Sequence, residues 1–79
     1  MTLETADKTI DCQHVLCPTP ILKISKAIKE IEIGQTLLML ADDPGAKPDM
    51  DTWTRRMGHD LIGFEQEGRL MRFLVRRGK

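Results

Sequence analysis

Aromatic side chains are scarce in this chain, with one Trp, two Phe and no Tyr among 79 residues. Proteins that hold single-stranded nucleic acid stack bases on such rings, so their scarcity weighs against that class. Net charge is missing as well, because 12 Lys and Arg balance 12 Asp and Glu. A nucleic-acid binder is more often strongly basic. No apolar run approaches the ~20 residues that a membrane span needs. Glu4 and Asp7 interrupt the N-terminal segment where a signal peptide would carry its apolar stretch. No phosphate-cradling glycine loop, H-E-x-x-H pair or nucleophile elbow is present. Internal repeats and low-complexity segments are absent too. The length leaves room for one domain spanning residues 1–79, with residues 1–6 as a loose end. Its core is too small for a large cofactor pocket, so no cofactor is expected, and the count of candidate ligands argues against a metal. The expected compartment is the cytoplasm, where cysteines stay reduced unless they do redox or sulfur work.

What the chain does carry is concentrated in Asp11 to Lys23, DCQHVLCPTPILK. Cys17 precedes Pro18, and Pro20 follows two residues later. Proline suits the first helical position because its missing N–H would be unpaired there anyway. This places Pro18 at N1, Thr19 at N2, Pro20 at N3 and Cys17 at the N-cap. The two prolines donate nothing, so the N–H of Thr19 is the nearest helical donor for the sulfur. The positive end of the helix dipole adds to it. Both favour thiolate, the reactive form of cysteine. The competing reading is a buried cysteine beside prolines that merely start a helix.

The surrounding pattern predicts the fold. Lys8 to Asp11 is a short first strand. Ile21, Ile24, Ile28 and Ile31 recur at spacings of three, four and three, which draws a helix from Pro18 to about Glu30. Leu22 and Ala27 widen its buried stripe, and Lys23, Lys26 and Lys29 lie off it. After Gly34, Thr36 to Ala41 is a near-continuous apolar run that suits an interior strand. The two strands would be parallel, so Asp42-Asp43-Pro44-Gly45 should lie beside the loop that holds Cys17. A second helix is expected from about Lys47 to Met57, with Met50, Trp53 and Met57 buried and Gly58 as its C-cap. Leu61 to Gln66 and Leu70 to Val75 read as strands joined at Glu67-Gly68. The whole is an α/β protein (an α+β two-layer sandwich) of order βαβαββ, with both helices on one face of a mixed four-stranded sheet.

Other residues near Cys17 offer alternatives. Cys12 could resolve an oxidised or persulfidated Cys17 as a disulfide, or serve only in packing. Cys12, His14 and Cys17 spell three metal-type ligands. Structural zinc normally takes four, and nothing in the sequence brings His59, the other histidine, to this loop. His14 could lower the Cys17 pKa as a charged imidazole or be an ordinary polar loop residue. Asp11 is expected to bond backbone N–H groups of the loop, since a carboxylate close to the sulfur would oppose its ionisation. Asp43 reads as a turn carboxylate, with contact to a partner protein as the functional alternative. The basic run Arg69, Arg72, Arg76, Arg77 and Lys79 reads as a solvated strand face and a frayed tail.

Asp11, Cys17, Pro18, Pro20 and the apolar-basic run after them resemble the TusA/SirA family of small sulfur-carrier proteins. Gly34, Asp43-Pro44-Gly45-Ala46, Asp49-Met50, Trp53 and Gly58-His59 keep that family's order and spacing. His14 departs from it, standing where the family usually has glycine. The resemblance implies a TusA/SirA-like fold and a sulfurtransferase-type carrier that takes sulfur as a persulfide on Cys17. It implies a donor such as a cysteine desulfurase or a rhodanese, and a DsrE/TusD-like acceptor protein. The pathways it implies are tRNA thiolation, cofactor biosynthesis or sulfur oxidation. A monomer that touches neither nucleic acid nor membrane is expected. The alternative is a non-catalytic interaction or regulatory module in which C-P-x-P is purely structural.

Overall fold

A computed structural model describes residues 6–13 and 19–79. Strand β1 spans Lys8–Cys12, helix α1 Thr19–Ala27, strand β2 Thr36–Ala41, helix α2 Ala46–Met57, strand β3 Asp60–Glu67 and strand β4 Leu70–Arg76. A single turn of 3-10 helix, Ile28–Glu30, extends α1. The expected helix to Glu30 is therefore there, with its last turn tightened as helix ends often are. Pro18, its expected first residue, lies outside the described residues.

The four strands form one mixed sheet in the order β1-β2-β4-β3. β1 and β2 are parallel, and β4 is antiparallel to both of its neighbours, β2 and β3. Alternation along the strands sends one set of side chains toward the helices. Cys12, Leu37, Met39, Ala41, Met71, Phe73 and Val75 meet Ile24, Ile28, Met50 and Trp53 there in one core cluster. The other face carries a smaller cluster, Leu38 with Leu74, against which Leu40 and Ala6 pack. Ala6, expected within a loose end, is thus part of the packing. Next to it Asp7 ties down the start of β1: its N–H donates to the Thr36 carbonyl at 3.0 Å, and its carboxylate accepts the Thr36 N–H at 2.9 Å.

Three expectations about burial and turn position need correction. Leu22 is 60% and Met57 50% exposed, although both were assigned to buried stripes. Leu22 lies in the first turn of α1 and Met57 is the last residue of α2, both on the margin of the stripe. Thr54 is buried instead of Met57, and its hydroxyl donates to the Met50 carbonyl at 2.9 Å, which removes the cost of burying it. The hairpin turn is one residue later than expected, because Glu67 still pairs with Leu70. Gly68, at φ +59°, takes the left-handed turn conformation. A bulge between Leu61 and Gly63 also inserts Ile62 into β3 as an extra residue. It resets the alternation so that Phe64 faces Phe73, ring centres 5.1 Å apart.

The basic C-terminal run is not frayed where it leaves the sheet. Arg77 exchanges backbone bonds with Gly34 and Gln35, and its guanidinium donates to the Ile31 carbonyl at 2.5 Å. Arg76 pairs with Asp60 at 2.9 Å. Among the described residues no helix is long and apolar enough to cross a membrane.

Candidate functional site

The site predicted around Cys17 falls in the connection between β1 and α1. His14, Cys17 and Pro18 lie outside the described residues. Thr19 and Pro20 are the first two residues of α1. The structure fixes what surrounds that connection.

β1 and β2 end level, with Cys12 opposite Ala41. Both chains therefore leave the sheet at the same edge. Asp11 shapes the exit from β1: its Oδ1 accepts the N–H of Gln13 at 2.9 Å, a local turn of the kind aspartate favours. At the exit from β2, Asp43 Oδ1 accepts the Gly45 N–H at 3.2 Å, and the Asp43 carbonyl accepts the Ala46 N–H at 2.9 Å. This turn starts α2 directly, so Asp43 is half-buried in a turn role.

Cys12 points the other way, into the core, and is fully buried. Burial pushes its thiol pKa up from the ordinary 9.0, Lys23 pulls it down, and Asp11 pushes it up a little more. The result is a thiol held protonated at neutral pH, which is a poor nucleophile. Its geometry is that of a packing residue.

The sheet register adds a third element to this edge. Ala41 lies opposite Met71, so the β3–β4 turn with Gly68 and Arg69 emerges there too. A shallow cleft of about 120 Å³ between Asp42, Pro44, Gln66 and Arg69 marks the junction. Sequence reasoning saw Arg69 only as part of a basic run. The signal that would have found it is register, since the hairpin must return to the end of β2.

His59 is elsewhere. It precedes Asp60, which pairs with Arg76, which in turn pairs with Thr36 at the start of β2. At about 3.4 Å per residue, the length of β2 separates it from the Cys12 edge by roughly 17 Å. It is therefore not a neighbour of Cys12. Among the described residues no group of three metal-type ligands comes together.

The family model described as "Sulfurtransferase TusA" matches residues 8–77. The chain belongs to the TusA family. A Bacillus subtilis member named "Putative sulfur carrier protein YrkI" is 40% identical over 92% of this chain and 97% of its own length. A second one from that organism, YrkF, bears the same designation and is 35% identical over 87% of this chain. The match spans 37% of the length of YrkF, so the TusA-type unit is one part of that longer protein. The crystal structure of a SirA-like protein from Desulfitobacterium hafniense shares the fold at a TM-score of 0.78. It is 23% identical, covering 91% of this chain and 99% of that one. The span of the TusA match includes Asp11, the whole C-P-x-P element and the Asp43 turn.

Proposed function

We propose that the protein is a sulfur carrier whose working atom is the Cys17 sulfur. Membership of the TusA family across residues 8–77, with C-P-x-P inside that span, is the observation that carries this reading. The curated relatives carry sulfur-carrier names, which supports it. The position of the element supports it too. Cys17 lies between the end of β1 and the first turn of α1, where backbone donors and the helix dipole favour an anion. Cys12 is in the core, which leaves Cys17 as the thiol for exchange.

The reaction is thiol–persulfide exchange. The Cys17 thiolate attacks the terminal sulfur of a donor persulfide. The donor S–S bond breaks, the donor cysteine leaves as thiolate, and Cys17 holds a persulfide. An acceptor thiolate then attacks the terminal sulfur, and Cys17 leaves as thiolate. One sulfur atom moves at each step with no net oxidation, so no cofactor takes part. On this reading Pro18 and Pro20 stiffen the turn and Thr19 supplies the N–H nearest the sulfur, while Asp11 closes the β1 exit. His14 would tune the thiol if it is charged. Asp43 sits at the edge where partners would dock. The donor on this reading is a cysteine desulfurase or a rhodanese, the acceptor a DsrE/TusD-like protein, and the compartment a reducing cytoplasm. The unit works as one monomeric domain.

Incubation with a desulfurase and cysteine, followed by mass spectrometry of the intact protein, tests it. The expected product is an adduct of about 32 Da, one sulfur atom, that reducing agent removes. It should be lost in Cys17→Ser and kept in Cys12→Ser. An adduct that survives Cys17→Ser refutes the assignment, as does failure to load from both a desulfurase and a rhodanese.

A further inference from the structure

A second cleft of about 300 Å³ lies at the sheet edge away from the β1–α1 connection. It is bounded by the end of α1 and its 3-10 extension, the end of α2, and the chain after β4. Its lining is mostly apolar. The rings of Trp53 and His59 meet there at 5.1 Å, inclined by 40°, with Ile28 beside them. Met57, half exposed, stands at the rim.

The polar groups of this cleft are almost all donors. Lys29, Arg77 and Lys79 line it, and no acidic residue does. Arg77 is committed to the Ile31 and Lys79 carbonyls. Lys29 and Lys79 have no carboxylate partner among the described residues. Ser25 Oγ accepts the Trp53 indole N–H at 3.0 Å, which leaves the serine hydroxyl proton free to donate. His59 Nδ1 accepts the Gly78 N–H at 3.0 Å, so the proton of the neutral ring is on Nε2. Among the described residues no buried side-chain nitrogen or oxygen lacks a partner, so the unbonded Nε2 is accessible to solvent. Burial and the charges of Arg77 and Lys79 hold the imidazole below its ordinary pKa, with Asp60 opposing them. The Asp60 carboxylate is engaged by Arg76 at 2.9 Å.

A largely apolar lining with two tilted rings, under a rim of cations and neutral donors, selects one kind of ligand. We propose that this cleft binds a small organic anion, a carboxylate or sulfonate carried on a flat apolar body. The volume is at the low end of small-molecule sites, which suits a body of one or two rings rather than a length of peptide. The rings supply apolar burial. Lys29, Lys79 and the His59 Nε2–H supply the recognition of charge. The cleft shares no residue with the β1–α1 connection, so this proposal stands or falls separately from the thiol chemistry.

The test uses the full chain, with 2-naphthoate as probe and the neutral 2-naphthylmethanol as comparator. Backbone and indole N–H resonances are followed during titration. Naphthoate should shift the Trp53 indole, His59 and Gly78 signals saturably, and the alcohol should bind about tenfold more weakly, the loss of a charged contact. Lys29→Gln should weaken naphthoate about fivefold. It should leave binding of the alcohol and the urea midpoint unchanged, which separates charge recognition from damage to the fold. The proposal is overturned if no signal saturates or the alcohol binds as well as the acid. Shifts that centre on Leu38 and Leu74 of the open sheet face, or unchanged naphthoate affinity in Lys29→Gln, also overturn it.

Discussion

The indole of Trp53 ties the two helices together, and breaking that tie has a magnitude that can be worked out. Its Nε1–H donates to Ser25 Oγ at 3.0 Å, joining α2 to α1 across 28 residues of sequence. The ring itself is 92% buried, being 8% exposed. Ser25→Ala removes the acceptor and leaves the indole N–H unpaired beside the cleft. A hydrogen bond of this kind is worth about 1 kcal/mol net, and an unpaired donor costs about 1–3 kcal/mol when buried. Water can reach the cleft, so the lower end, about 1 kcal/mol, is expected. Trp53→Phe removes the donor and part of the ring, for roughly 2–3 kcal/mol. In the double variant no N–H is left to satisfy. The losses should then fall short of additivity by about 1 kcal/mol. A domain of this size has roughly 4–12 kcal/mol in all, so each change is measurable. Urea denaturation followed by far-UV circular dichroism is the assay, because Trp53 is the sole tryptophan and its fluorescence is lost in one variant. Losses additive to within about 0.3 kcal/mol would refute the bond as a stabilising contact.

Stability should fall at both ends of the pH range. His59 has a depressed folded pKa, so the unfolded chain binds more protons below its ordinary 6.5, and stability is lost as pH drops from there. Cys12 has a raised folded pKa, so the unfolded chain ionises first above 9.0, and stability is lost as pH rises from there. Urea midpoints measured across pH should show both limbs, and His59→Gln should flatten the acid one. Gly58 caps α2 at φ +77°, so Gly58→Ala should cost about 1–2 kcal/mol, while the close approach of its new Cβ to the Lys79 side chain is relieved by rotation of that chain. A loss below about 0.3 kcal/mol would show that the cap relaxes without strain. Phe73 is fully buried at the centre of β4, and Phe73→Ala should cost about 3–5 kcal/mol, seen as a large drop in urea midpoint.

Much of the fold is legible in local pattern. Isoleucines at helical spacing mark α1, and the run from Leu37 to Leu40 marks β2 with the bounds the structure has. Gly58 announces the end of α2. Met57 and Leu22 were misjudged because spacing tells which side of a helix a residue is on and not where the core beneath it stops. Thr54 was overlooked because its polarity hides a burial that a bond to its own helix makes tolerable. The bulge at Ile62 is invisible to a two-residue period that it interrupts. At the candidate site Cys17 and its prolines stand out by their chemistry, and the βαβ connection puts the Asp43 turn at the same edge, where the structure has it.

The sequence by itself determined the order of elements, the nucleophile candidate and the family, because each of these is written in neighbouring residues or in their periodicity. Only the tertiary structure decided that Cys12 is packed in the core, that Arg69 returns to the end of β2, and that His59 lies at the other edge with Trp53 and Arg77. Those facts depend on strand register and on contacts between residues far apart in the chain. Register is set by how the whole sheet buries its apolar face, which no short stretch encodes.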